Sequence, residues 1–240
     1  MQNKKVLIII PAYNEQATVD RVYRKIKESV PDADVAIIND CSTDRTANVA
    51  SELNGALINL PINLGIGGAM QTGYIYARNN DYDFAIQVDG DGQHDPKEIT
   101  KILTEIEKGE ADLVIGSRFI EKTNYKSALT RRIGIGLFKL VTFLMNGQAV
   151  ADATSGFRVV NKRVIDVYAE HYPTDYPEPE VLVMLHKAGF KIKEVPVQMH
   201  ERAGGKSSIT PVRSAYYMIK VLFAMIIKKM RKVEKTNANN

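Results

Sequence analysis

The sequence predicts an α/β protein, a largely parallel sheet with helices on both faces. Short apolar runs of strand length alternate along the first half with stretches whose apolar residues recur at helical spacing, the pattern of a sheet wound by crossover helices. The loops that follow the strands are polar and rich in turn formers, as expected where ligands meet such a sheet. At 240 residues and 45% hydrophobic content, the chain can bury one sizeable core.

Residues 4–10 (KKVLIII) form the first expected strand, stopped by Pro11 of PAYNE, where the chain must leave the sheet. Residues 16–29 place Ala17, Val19, Val22, Tyr23 and Ile26 near helical spacing. Residues 34–38 are a second strand, leading into NDCSTDRT. That segment is either a capped loop feeding the next helix or, through the strand-end carboxylate of Asp40, a contact to a base or ribose. Residues 56–60 are a third strand.

NLGIGGAMQTG, residues 63–73, is glycine-rich and opens a helix. Its glycines serve either a close backbone approach to a ligand or tight helix packing. Counting from Gly65, the sixth position is Met70, so the dinucleotide fingerprint fails and a nucleotide-dependent dehydrogenase is disfavoured. A buried strand over 84–88, a helix to about residue 108 and a strand over 111–116 complete the first half, the last strand ending in Gly116-Ser117-Arg118.

Between the fourth strand and its helix stands VDGDGQHDP, residues 88–96. Asp89, Asp91 and Asp95 crowd into seven residues with no basic residue among them, and such carboxylates repel one another unless a cation is shared. Asp95 before Pro96 has the pattern of a helix cap. Asp89 and Asp91, two residues apart at the end of a buried strand, suit hard-oxygen coordination of one divalent ion that in turn holds a diphosphate. An EF-hand does not fit, since Thr100 stands where its twelfth-position glutamate belongs.

In the second half, DATSGFR sets Arg158 after a glycine, the place of an anion site or of a surface salt bridge. YPTDYPEPE is an ordered loop ending near a helix start, where Glu178 and Glu180 complement the helix dipole. Residues 190–197 are strand-like, and HERAGGKSSI, 200–209, is a basic loop suited to fold over a phosphate. His94 and His200 lack the neighbours of a metal cluster.

The formal charge of +4 is concentrated at one end. Residues 228–240 hold five Lys or Arg and one Glu (5 − 1 = +4), leaving 27 basic and 27 acidic residues elsewhere. A general nucleic-acid binder would spread its basic surface, so no nucleic-acid partner is expected. AYYMIKVLFAMII, 215–227, is a greasy stretch shorter than the roughly 20 residues a spanning helix needs. Residues 133–145 are similar. Together with the basic tail they predict a peripheral contact with an anionic membrane surface, and residues 211–240 are expected to form an amphipathic helix apart from a catalytic domain over 1–210. Single Cys41 excludes an internal disulfide framework and fits a reducing, cytoplasmic setting; the apolar run 6–10 is too short for a signal peptide.

The order PAYNE, NDCSTDRT, NLGIGGA, DGDGQHDP, GSR, DATSGFR, ERAGGKSS resembles the inverting family 2 glycosyltransferases, of the dolichyl- or polyprenyl-phosphate sugar synthase type, over about residues 5–210. The resemblance implies a GT-A fold, a nucleotide-sugar donor, a polyprenyl phosphate acceptor and a divalent metal, Mg2+ or Mn2+. It implies that Pro11, Ala12, Tyr13, Glu15, Asp40, Gly67 and Gly90 line the nucleotide-sugar pocket, and that Asp89, Asp91 and Gln93 hold metal and diphosphate. Arg118, Arg131, Arg158, Arg202 and Lys206 would face donor and acceptor phosphates, with Asp89, Asp91, Arg118 and Arg202 carrying catalysis. Asn39-Asp40 stands where the family usually has two aspartates, and Ile135 where a serine commonly follows the helical arginine. Some relatives work with a small transmembrane partner, so such a partner, or a homo-oligomer, is also expected. A sugar-hydroxyl acceptor would instead require a base, for which Glu178 or Glu180 is the candidate. A non-catalytic nucleotide-sugar-binding subunit is the remaining alternative, disfavoured by the intact DGDGQ.

Overall fold

The computed structural model describes residues 4–120, 150–174 and 177–199. Seven strands form one sheet: β1 (Val6–Ala12), β2 (Asp34–Asn39), β3 (Ala56–Asn59), β4 (Phe84–Gln87), β5 (Leu113–Ser117), β6 (Arg158–Asn161) and β7 (Ile192–Pro196). Their order is β3-β2-β1-β4-β6-β5-β7. The sheet is parallel apart from β6, which runs antiparallel to both of its neighbours.

Apolar residues alternate between the two faces with the period of two that a strand dictates. Leu7, Ile9, Ala36, Ile38, Ala85 and Val160 point to one face, where they pack on α3 (Gly65–Asn79), α5 (Lys162–Glu170) and α6 (Pro177–Lys187). Ile8, Ile10, Val35, Ile37, Ile86 and Val159 point to the other, against α1 (Val19–Ser29), α2 (Thr46–Ser51) and α4 (Ile99–Glu107). Because every central strand is covered twice, the runs are continuously apolar, and this is why they stand out in the sequence.

Here α4 and α5 are joined to the sheet by capped starts. Asp95 accepts from Lys97 N at 3.1 Å with Pro96 at the first position of a 3-10 turn, Pro96–Glu98, that leads into α4. Asn161 accepts from Val164 N at 3.1 Å to open α5. Both satisfy donors that a helix start leaves without partners.

Pro11 does not end β1, contrary to the sequence expectation. The strand runs to Ala12, pairing Pro11 with Ile38 and Ala12 with Asn39 on β2. Ala12 O accepts from Asp40 N and Ile9 O from Val88 N, so by alternation the Pro11 nitrogen faces the β4 side, beyond Gln87, the last β4 residue paired with β1. A missing N–H is harmless there. α1 likewise begins at Val19 rather than Gln16, after Thr18 N and Val19 N both donate to Glu15 O.

Candidate active site

β1, β2 and β4 run parallel, so PAYNE, NDCSTDRT and VDGDGQHDP all emerge at the same carboxyl edge of the sheet. The first two loops are stitched together. Asn14, in the left-handed region at φ 56°, accepts from Thr43 N at 2.8 Å and gives its own N–H to Ser42 Oγ at 3.0 Å. Glu15 N donates to Thr46 Oγ1 at 2.8 Å, and Arg45 N donates to Gln16 Oε1 at 2.9 Å. Burial works against the charged Asp44, but hydrogen bonds from Thr46 and Gln16 outweigh it and hold the carboxyl below the usual aspartate range. The third loop abuts the first: a Cβ on Gly90 would stand 3.2 Å from the Pro11 carbonyl oxygen and 3.6 Å from Glu15 Cγ. Tyr13 is exposed at this edge, while Pro11 and Ala12 remain in the strand.

Asp40 is buried at the end of β2, and both of its carboxylate oxygens are committed. Oδ1 accepts from Leu64 N at 2.7 Å and Oδ2 from Gly65 N at 2.9 Å, so the carboxylate caps the start of α3 from another loop. The dipole of α3 favours that negative charge. The glycine-rich segment, read from sequence as either a close approach to a ligand or tight helix packing, has the N–H groups of Leu64 and Gly65 taken by an internal carboxylate. Gly67, expected in the donor pocket, is a packing glycine: a Cβ there would lie 2.4 Å from the carbonyl oxygens of both Pro173 and Thr174. Asn39, where the family pattern has an aspartate, donates through Nδ2 to Asn59 Oδ1 at 2.8 Å inside the sheet edge.

Asp89 differs. Its side chain keeps 35% of its surface open. Oδ1 accepts from Gln87 Nε2 at 3.1 Å, while Oδ2 lies 3.6 Å from His94 Nε2, beyond hydrogen-bond distance. His94 is buried, accepts from Asp89 N through Nδ1 at 3.0 Å and stacks on Phe157, which makes it a brace for the turn. Asp91 Oδ1 accepts from Gln93 N at 3.0 Å, folding DGDGQ into a tight turn that Gly92 permits with φ 76°.

These residues fit a hard divalent ion in one way. Among the described residues no group of three or more His, Cys, Asp or Glu gathers as a ligand set. Two carboxylates with hard oxygens are what Mg2+ or Mn2+ takes when the rest of its shell is diphosphate oxygen and water.

The structure gives Arg158 a different place from the one expected of an anion-binding arginine. It is 1% exposed, on β6 opposite Gln87, and its Nε, Nη1 and Nη2 donate to the carbonyls of Ser155, Glu178 and Ala153 at 2.6, 2.9 and 3.1 Å. It fastens the DATSG turn to the first turn of α6, and neither a phosphate site nor a surface salt bridge is formed. Tyr74, Tyr168 and Tyr172 surround this polar layer, with ring centroids 4.9 to 5.3 Å apart. Burial pushes all three phenols up. Glu178, half-buried at the start of α6, is also pushed up, first by burial and also by the charge of Asp89, against the pull of Arg158. Glu180, by contrast, is buried.

Arg118 follows β5 and is gripped by Asp152, itself wholly buried, through Nε to Oδ2 and Nη2 to Oδ1, both at 2.7 Å. Glu194 of β7 fixes this turn by accepting from Ala151 N and Asp152 N at 2.7 and 2.8 Å. Sequence reasoning singled out neither Asp152 nor Glu194 nor Gln87. For Gln87 the signal present was a lone polar residue in an otherwise apolar strand, and for Asp152 its place in DATSGFR, whereas Glu194 stands beside Lys193 in β7 and carried no such signal. Arg131, Arg202 and Lys206, the apolar stretches 133–145 and 215–227, and the tail lie outside the described residues. Among the described residues, no helix is long and apolar enough to cross a membrane.

A mixed sheet of this order is the GT-A arrangement of glycosyltransferases. The family model for glycosyl transferase family 2 matches residues 7–168, and the chain belongs to that family. It is 29% identical to the UDP-N-acetylglucosamine--dolichyl-phosphate N-acetylglucosaminyltransferase of Methanococcus voltae, over 97% of this chain and 99% of that protein. It is 26% identical to the polyprenol monophosphomannose synthase of Mycolicibacterium smegmatis, over 91% and 86%. Among solved structures, glucosyl-3-phosphoglycerate synthase from Mycobacterium tuberculosis, in complex with Mn2+, UDP and glucosyl-3-phosphoglycerate, superposes with a TM-score of 0.71 at 16% identity, covering 95% of this chain and 80% of that one. That likeness establishes the fold.

Proposed function

We propose that this enzyme transfers a hexose or N-acetylhexosamine from a UDP- or GDP-sugar to a polyprenyl phosphate at the cytoplasmic face of a membrane, with inversion and with Mg2+ or Mn2+. The observation that carries the reading is Asp89: of the two strand-end aspartates at the carboxyl edge, it is the one left open, at the head of the acidic turn. The lipid-phosphate acceptors in the names of the Methanococcus and Mycolicibacterium relatives support the acceptor class.

In this reading Pro11, Ala12, Tyr13 and Glu15 take the nucleotide, and Gly90 lets the diphosphate approach the turn. Asp89 and Asp91 would hold the ion, which would supply positive charge to the departing diphosphate. A lipid phosphate is already an anion near neutral pH, so its oxygen attacks the anomeric carbon without a protein base. The new carbon–oxygen bond forms on the face opposite the departing diphosphate, whose bond to that carbon breaks, and the nucleoside diphosphate leaves. The chain's contribution is placement and charge, for which Arg118 and the basic residues Arg131, Arg202 and Lys206 are proposed on the acceptor side. Arg202→Ala should then impair transfer to lipid phosphate more than donor affinity measured by calorimetry.

A second reading is favoured by one observation. The Glu178 carboxyl is pushed up and feels the charge of Asp89, as a proton acceptor for a sugar hydroxyl would. Offering the protein a polyprenyl phosphate and a sugar acceptor side by side separates the two. Residues 211–240 are proposed as the membrane- or partner-contacting segment, which predicts that the full chain pellets with anionic vesicles and not with neutral ones. Binding that appears only with a small transmembrane protein would replace direct anchoring by partner docking.

A further inference from the structure

Gln87 is the polar residue of β4, whose four residues read FAIQ and are all buried. Its register neighbours are Ile9 on β1 and Arg158 on β6, and strand alternation puts it on the same face as Ala85, inside the core. At 1% exposure its Nε2 donates to Asp89 Oδ1 at 3.1 Å, while Oε1 is buried with no hydrogen-bond partner. A buried acceptor without a partner destabilises a fold, and an apolar side chain of the same shape would serve the core better. When a sequence departs from a rule in its own core, the compensation is sought in function.

The glycine of DATSGFR completes the arrangement. A Cβ at Gly156 would stand 2.7 Å from Gln87 Nε2 and 3.2 and 3.3 Å from the two oxygens of Asp89. The absence of a side chain is therefore what allows the amide and the carboxylate to meet. Gly156 is in turn held by the turn that Arg158 fastens to Glu178 O.

We propose that Gln87 and Gly156 form a seat for Asp89, with Gln87 a positioning residue that fixes one carboxylate oxygen and so sets the direction in which the other is offered to a divalent cation. The proposal rests on the reading of Asp89 as a cation-binding carboxylate. Groups that orient a ligand in this way typically change metal affinity about 10- to 100-fold when removed.

The test uses the full chain, with Mn2+ alone and Mn2+ with UDP or GDP as probes, followed by electron paramagnetic resonance and thermal melting. Gln87→Met should melt no lower than wild type, because it removes the unpartnered acceptor, yet bind Mn2+ at least about tenfold more weakly. Gly156→Ala should also weaken Mn2+ binding, through crowding of Asp89, and supplies the same readout if Gln87→Met does not fold. Wild-type Mn2+ affinity in either folded variant overturns the proposal, and a lowered melting temperature with unchanged Mn2+ affinity assigns Gln87 to the core alone. Asp89→Asn is the control: if it too binds Mn2+ normally, the reading of the site fails, whereas loss there with none in Gln87→Met defeats only the seat.

Discussion

Asp40 and Asp89 follow β2 and β4, parallel strands on either side of β1, at the same edge of the sheet, and their oxygens are held in opposite ways. Asp40 is buried with one backbone N–H on each oxygen, tying β2 to α3. Asp89 is half-open, with one oxygen held by Gln87. A strand-end aspartate is therefore not a ligand group by position. What decides is whether the chain itself supplies the charge and donors that its oxygens need. At the end of β2 the start of α3 does so, and at the end of β4 we propose that a cation meets the demand of the half-open Asp89.

The contrast breaks most directly when a carboxylate is removed from each of the two loops. Asp91→Asn should lower transfer by on the order of 10²-fold or more with the melting temperature retained, since the lost charge serves the leaving diphosphate. Near-normal turnover in saturating Mn2+ would sink the catalytic half of the contrast. Asp40→Ala should act on stability instead, costing about 1–2 kcal/mol through the lost cap and lowering the melting temperature by about 2–8 °C, with donor affinity changed little. Unchanged melting with abolished donor binding would place Asp40 on the nucleotide.

Arg158 extends the comparison to a cation. If it is a fastener rather than a phosphate site, Arg158→Met should destabilise by on the order of 3 kcal/mol, because it releases three buried carbonyls. A folded variant of normal stability that has lost only acceptor affinity would contradict that.

Smaller effects are expected at Glu178. With a lipid-phosphate acceptor Glu178→Gln should change kcat by less than about tenfold, whereas a base for a sugar hydroxyl would lose 10²–10⁴-fold. Its pH signature has a definite sign. A carboxyl raised on folding binds its proton more tightly in the native state, so stability is greatest below the unfolded pKa and declines as pH rises through the folded one. Glu178→Gln should therefore gain stability relative to wild type at pH 7 and not at pH 4, measured by thermal melts at the two values.

Much of the first half was legible in the sequence because its signals are local. Strands β1, β2, β4 and β5 are covered on both faces and largely apolar, and Asp95-Pro96 caps a helix start as the residue types dictate. Arg158 was misread because its setting is not local: β6 enters antiparallel between β4 and β5, and the carbonyls that bind its guanidinium come from a turn and from a helix twenty residues on. The partners of Gly67 and of the α3 start were hidden for the same reason, since Pro173, Thr174 and Asp40 reach them from other parts of the chain. Pro11 was read as a stop because sequence does not reveal which side of a strand lacks a partner.

Wild-type protein and Asp91→Asn are incubated with labelled UDP- and GDP-sugars, a polyprenyl phosphate and Mn2+, and the lipid phase is assayed for glycolipid. The expected result is a glycosyl phosphoryl lipid formed from one donor by wild type and reduced by on the order of 10²-fold or more in the variant. Transfer only to a sugar hydroxyl, or equal product from both proteins, would contradict it.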